Sequence, residues 1–140
     1  MRASKNGGFT LIELMVVVAI IALLASLAYY NYSRYAFRAR RVDGQNLLTS
    51  IAAAEQRYYT NFNNYTSTIT GSSSTSLGFS SATSDRGYYS AVAAVASGAQ
   101  TYVLTATPAG PQATDQCHNL TLTDTGVKGQ SGNTSNGSCW

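Results

Sequence analysis

The 140-residue chain has room for one domain and one membrane-length helix. Nine Lys and Arg stand against six Asp and Glu, for a formal charge of +3 at pH 7, beside one His and two Cys. So few His and Cys, and no P-loop, G-x-G-x-x-G or Cys-x-x-Cys, leave little for a catalytic triad or a metal centre, so no enzyme activity, cofactor or metal site is predicted.

The chain opens with Arg2 and Lys5. From Phe9 to Tyr30 follow 22 residues in which, tyrosines aside, Glu13 is the only ionisable side chain. At about 1.5 Å per residue this stretch makes roughly 33 Å of helix, enough to cross a bilayer's hydrocarbon core. A carboxylate inside such a helix is expensive and wants a positive partner. No Lys or Arg lies between Lys5 and Arg34, so the nearest candidate is the amine made by cutting after Gly8. Thr10 and Glu13 also fit a Ser/Thr-x-x-Glu capping box. That box explains the spacing, but not why a carboxylate opens an apolar helix.

Gly8-Phe9-Thr10-Leu11-Ile12-Glu13-Leu14, between a short basic leader and the apolar run, resembles the class IVa signature of the type IV pilins. The resemblance implies an α+β pilin fold, a long N-terminal helix packed on a small antiparallel sheet with a C-terminal disulfide-bounded loop. It implies that a prepilin peptidase removes residues 1–8, cutting between Gly8 and Phe9, and methylates the new amine of Phe9. Glu13 would pair with that amine on a neighbouring subunit during assembly. The implied partners are other copies in a helical filament, other pilins and the inner-membrane assembly machinery. The implied places are the bacterial inner membrane and then the extracellular pilus, serving adhesion, twitching motility or DNA uptake. Many class IVa pilins carry a Gly and a Pro within the apolar helix, where Ala22 and Tyr30 stand here. A secretory signal peptide and a plain membrane anchor are the competing readings of the same stretch.

Charge gives mixed guidance. Arg2 and Lys5 before the helix face Arg34, Arg38, Arg40 and Arg41 after it, which inverts the orientation expected from the positive-inside rule. The cysteines and the resemblance argue for a cytoplasmic N-terminus. From Val42 on, Arg57, Arg86 and Lys128 stand against Asp43, Glu55, Asp85, Asp115 and Asp124. An acidic head does not favour a nucleic-acid partner. A minor pilin that captures DNA for natural transformation, using Arg86 and Lys128, is the first alternative; a type II secretion pseudopilin is the second.

Beyond the apolar run, Leu47, Leu48, Ile51, Ala54, Tyr58 and Phe62 recur mostly at spacings of three and four, the pattern of an amphipathic helix. One helix is predicted over residues 9–61, with residues 9–30 as the membrane or filament-core half. Gly44 is its weak point, costing about 1 kcal/mol against Ala. Residues 62–87 are rich in Ser, Thr and Gly and read as an ordered loop pinned by Tyr65, Ile69, Leu77 and Phe79. Residues 88–140 form the sheet and the C-terminal region. Strands are predicted over 88–95, 101–107 and 118–123, with a short fourth at 127–129, in an antiparallel sheet with one face on the helix. Cys117 and Cys139 read as one disulfide behind an exported anchor. The resemblance implies the same bond, while two free thiols or a metal pair with His118 are the competing readings. Residues 130–138 are almost wholly Ser, Gly, Asn and Thr, too polar to hold themselves by burial.

Overall fold

The computed structural model describes residues 8–140, the side chain of Tyr30 excepted. The leader residues 1–7 lie outside the described residues. One long helix, α1 (Leu11–Phe62), is followed by β1 (Tyr89–Val95), β2 (Tyr102–Pro108), a 3-10 turn (Gly110–Gln112), β3 (Leu120–Thr123) and β4 (Lys128–Gln130). The helix has the predicted type but starts two residues later than position 9 and ends one later than position 61. Phe9 and Thr10 stay outside because the Thr10 side chain serves as the cap. The strand boundaries shift by one or two residues, as weakly paired ends do. Two compact units divide the chain, and the second is Ala36–Trp140.

In the first unit α1 exposes its apolar side chains, Leu11, Ile12, Leu14, Ile20, Ile21, Leu23 and Leu27 among them. An 18-residue window of the helix reaches a mean hydropathy of 2.8, so α1 is long and apolar enough to cross a membrane. Its few polar side chains fold back on the helix. Ser26 Oγ donates to Leu23 O at 2.7 Å, and Asn31 Nδ2 donates to Leu27 O at 3.2 Å. Donors that an apolar surrounding leaves unsolvated are satisfied in this way.

In the second unit the four strands form one antiparallel sheet in the order β1-β2-β3-β4. Alternation along β2 turns Tyr102, Leu104 and Ala106 inward and leaves Val103 and Thr107 exposed. Leu104 lies opposite Leu122 on β3 and Ala93 on β1. This inner face closes on Leu47, Leu48 and Ile51 of α1 in a buried apolar cluster. The loop after α1 is ordered on the same core. Ile69 is buried, and Tyr65, Leu77 and Phe79 pack against the cluster. A parallel bridge joins Thr70 to Phe79.

Candidate functional site

The C-terminal region gathers most of the unusual chemistry of the second unit. Cys117 and Cys139 are disulfide-bonded, with Cα atoms 5.7 Å apart and a sequence separation of 22. The cysteines are therefore not free thiols, and His118 stands exposed beside them. The polar loop between them is held by backbone hydrogen bonds: Ser131 N to Asn119 O at 3.0 Å, Gly132 N to Cys117 O at 3.0 Å and Asn133 N to Gln116 O at 2.9 Å. Gly132 is required there, because a β-carbon would sit 2.0 Å from Gln116 O.

Beneath the loop lies a buried ion pair. Arg41 is 1% exposed and forks onto Asp115, with Nε to Oδ2 at 2.8 Å and Nη2 to Oδ1 at 2.6 Å. Its Nη1 donates to the carbonyls of Asn136 and Ser138, each at 2.9 Å. Gln112 Nε2 contacts Asp115 Oδ2 at 3.0 Å, Tyr89 Oη at 3.1 Å and Phe37 O at 3.2 Å. One turn beyond Arg41, Gln45 Nε2 donates to Cys139 O at 2.9 Å. Burial pushes the Tyr89 hydroxyl up to about 12, a rise that its hydrogen bond with Gln112 partly offsets.

This burial changes the charge count. Of the five carboxylates beyond Val42, Asp115 is neutralised in the core and Glu55 is buried, with its pKa raised by desolvation. The remaining acids, Asp43, Asp85 and Asp124, face five cations of the second unit: Arg38, Arg40, Arg57, Arg86 and Lys128. Among the side chains of this unit that reach solvent, cations therefore outnumber carboxylates. The count of three cations against five carboxylates beyond Val42 stands, but the compact unit begins at Ala36, which adds Arg38, Arg40 and Arg41, and two of the five carboxylates are buried.

The cations are also placed. Lys128 Nζ stands 5.1 Å from the centroid of the half-buried Trp140 ring, whose Nε1 donates to Gly129 O at 2.8 Å. Arg38 lies against Gly137, where an added β-carbon would be 3.1 Å from its Cδ. Asn133, Thr134 and Ser135 of the same loop are exposed, the Ser135 hydroxyl being bonded to the side-chain oxygens of Gln116 and Asn133. Arg40 covers the Tyr88 ring at 5.0 Å. Arg86 has different surroundings: its backbone N donates to Asp43 Oδ1 at 3.4 Å, beside a groove of about 450 Å³ lined by Asp43 and Asp85.

At the other end of the chain, Gly8 and Phe9 are exposed, Phe9 at 88%. Thr10 and Glu13 form the reciprocal capping box, with Glu13 N to Thr10 Oγ1 at 3.3 Å and Thr10 N to Glu13 Oε2 at 3.4 Å. Both distances are long for such bonds.

The family described as "Type IV minor pilin ComP, DNA uptake sequence receptor" matches residues 31–121, about two thirds of the chain. The chain belongs to this family of type IV minor pilins. The prokaryotic N-terminal methylation motif matches residues 3–29. A solved structure described as a high-resolution structure of a type IV pilin from Shewanella oneidensis is 25% identical, with a TM-score of 0.52, and covers 74% of this chain and 97% of that one. No curated protein sequence matches the chain.

Sequence reasoning located the disulfide and the N-terminal motif of this minor pilin but missed Arg41, Glu55 and Gln112. A signal for the first two was present. The core positions Leu48 and Ile51, extended at alternating spacings of three and four, reach Gly44 and Arg41 in one direction and Glu55 in the other, and all five are buried. For Gln112, buried in a 3-10 turn after Pro111, no local pattern announces burial.

Proposed function

We propose that this minor pilin is built into type IV filaments through its N-terminal helix and captures DNA for uptake on its C-terminal loop. The observation that carries the reading is Lys128 held over the Trp140 ring, on a unit whose solvent-reaching side chains include more cations than carboxylates. The family match over residues 31–121 supports it. Lys128 and Arg38 supply phosphate contacts, which position a duplex without reading its sequence. The exposed Thr134 hydroxyl and the Asn133 amide nitrogen on the same loop offer hydrogen bonds to base edges.

The proposal includes processing and assembly. Residues 1–8 are removed, Phe9 becomes the methylated N-terminus, and Glu13 pairs with a neighbour's amine. The apolar half of α1 exchanges the inner membrane for a bundle of like helices. The prepilin peptidase and the inner-membrane assembly machinery are the partners in these steps. A filament subunit serving only adhesion or twitching motility is the plainer alternative, supported by the likeness to the Shewanella pilin.

The test is DNA binding by the full chain in detergent across a salt series. With two or three phosphate contacts, log affinity should fall against log salt with a slope of about −2 to −3. Lys128→Ala should reduce that slope by about 1. Genomic DNA of the native source should compete better than unrelated DNA. Absence of binding at low salt leaves the adhesion or motility reading.

A further inference from the structure

Arg41 touches both flanks of the disulfide. Asp115, which takes its fork, lies two residues before Cys117; Asn136 and Ser138, whose carbonyls take its remaining donor group, lie just before Cys139. Gln45 adds a bond to Cys139 itself. We infer that the buried Arg41–Asp115 pair, rather than the disulfide, sets the position of the C-terminal loop in the folded protein, and that Arg41 is thereby the positioning residue for Trp140 and for the exposed residues 133–135.

The physical reason is a division of labour. A disulfide acts mainly by restricting the unfolded chain, and this one joins the two limbs of the loop to each other and not to α1. Directional contacts fix place. Within the loop, the bonds from Ser131, Gly132 and Asn133 pair its two limbs whether or not the sulfurs are joined. Arg41 and Gln45 then fasten the paired limbs to α1. A guanidinium suits the task, because its planar fork serves a carboxylate and two carbonyls at once, which an ammonium does not reproduce. At 1% exposure, water cannot replace these bonds at little cost. Trp140 follows Cys139 directly, so the ring that carries Lys128 inherits the position that Arg41 and Gln45 impose.

The inference rests on the DNA reading for its binding readout only, and Trp140, the single tryptophan, supplies a second readout independent of DNA. Full-length protein in detergent is compared as wild type, as reduced wild type, as Cys117→Ser/Cys139→Ser and as Arg41→Met/Asp115→Leu, the last removing both charges together. Reduction and the serine pair should leave the Trp140 emission in place and DNA affinity within about threefold of wild type. The Arg41/Asp115 variant should keep its helical circular dichroism, shift Trp140 emission to the red and lose at least about tenfold in affinity. A red shift on reduction, with none in a folded Arg41/Asp115 variant, overturns the inference. If that variant fails to fold, amide exchange on reduced wild type decides. Protection retained at Gly132, Asn133 and Gly137 supports the inference, and its loss overturns it. If the emission behaves as stated while no form binds DNA, the positioning role stands and the DNA reading falls.

Discussion

Gly44 on α1 and Tyr89 on β1 meet so closely that a β-carbon at position 44 would lie 2.8 Å from two ring carbons of the tyrosine. The glycine that looks like a weakness in the helix is the place where the sheet approaches it. Helix propensity alone favours Gly44→Ala by about 1 kcal/mol. Tyr89, however, is fully buried and its hydroxyl is tied to Gln112, so its ring has little room to move. Overpacking of this kind costs about 1–3 kcal/mol. Gly44→Ala should therefore destabilise residues 36–140 by about 1 kcal/mol net, read as a lower urea midpoint. A rise in the midpoint would show that the tyrosine yields.

The contrast between Leu48 and Arg41 shows what was legible in the sequence. Apolar periodicity places Leu48 and Ile51 on a core face, strand and turn signals place β1 and β2, and alternation in β3 turns Leu120 and Leu122 to one buried face. Arg41 sits on the same face, yet its charge groups it with Arg34 and Arg38 as a solvent stripe. Its burial depends on Asp115, 74 residues away, and no local pattern reports a partner at that distance. Glu55 lies on the same core face at helical spacing, but its charge reads as solvent-facing until Thr66 N, 11 residues on, is seen to donate to it. At the candidate interface, Lys128 could be singled out from the sequence, but its place over Trp140 follows from the way β4 and the C-terminus fold together.

The buried pair fixes where the head can be cut. A fragment starting at Val42 leaves Asp115 charged and buried without its cation, and removing one half of a buried pair typically costs about 3–5 kcal/mol. A fragment starting at Ala36 keeps Phe37, Arg38 and Arg41. The longer fragment should unfold cooperatively, whereas the shorter should be unfolded or far less stable at the same pH. Equal urea midpoints for the two would remove the pair from the list of things that hold the head together.

Glu55 should make stability fall with rising pH. Its Oε2 accepts from Thr66 N at 3.2 Å, while Oε1 meets no donor among the described residues. Burial raises its pKa, and the Thr66 bond only partly opposes the rise. The folded state therefore holds this proton more tightly than the unfolded state does. The stabilisation is complete below the unfolded value, about 4, and is lost as pH climbs through the folded value. Glu55→Gln should flatten that slope and leave the protein more stable than wild type at neutral pH. Urea midpoints taken from about pH 4 to about pH 8 check this. A wild type whose stability rises in step with the variant would contradict it.

Among the described residues nothing lies within 4 Å of the place a β-carbon on Gly8 would occupy, so none of them opposes a larger residue there. On the proposed processing, Gly8→Val acts at the peptidase, where the added side chain would keep the bond to Phe9 out of reach. The variant should accumulate at full length in the inner membrane, with no filament incorporation. Wild-type filaments should yield Phe9 as a methylated N-terminus by mass spectrometry. Filaments whose subunits begin at Met1 would refute the processing site.

Glu13 separates capping from assembly. In the isolated chain its bonds to Thr10, at 3.3–3.4 Å, are at the weak end of the range, and the side chain is exposed. If capping were its whole role, Glu13→Gln would be nearly neutral, since Gln fills the same place in a capping box. If instead its charge neutralises the amine of a neighbouring Phe9 in an apolar bundle, the substitution leaves that amine unpaired. A broken buried pair costs about 3–5 kcal/mol, incurred at each contact the variant makes. Glu13→Gln should therefore insert and be cleaved normally, yet be depleted in filaments when expressed together with the wild-type chain. Quantitative mass spectrometry of sheared filaments, normalised to the membrane pool, measures that depletion. Incorporation in proportion to the pool would reduce Glu13 to a helix cap.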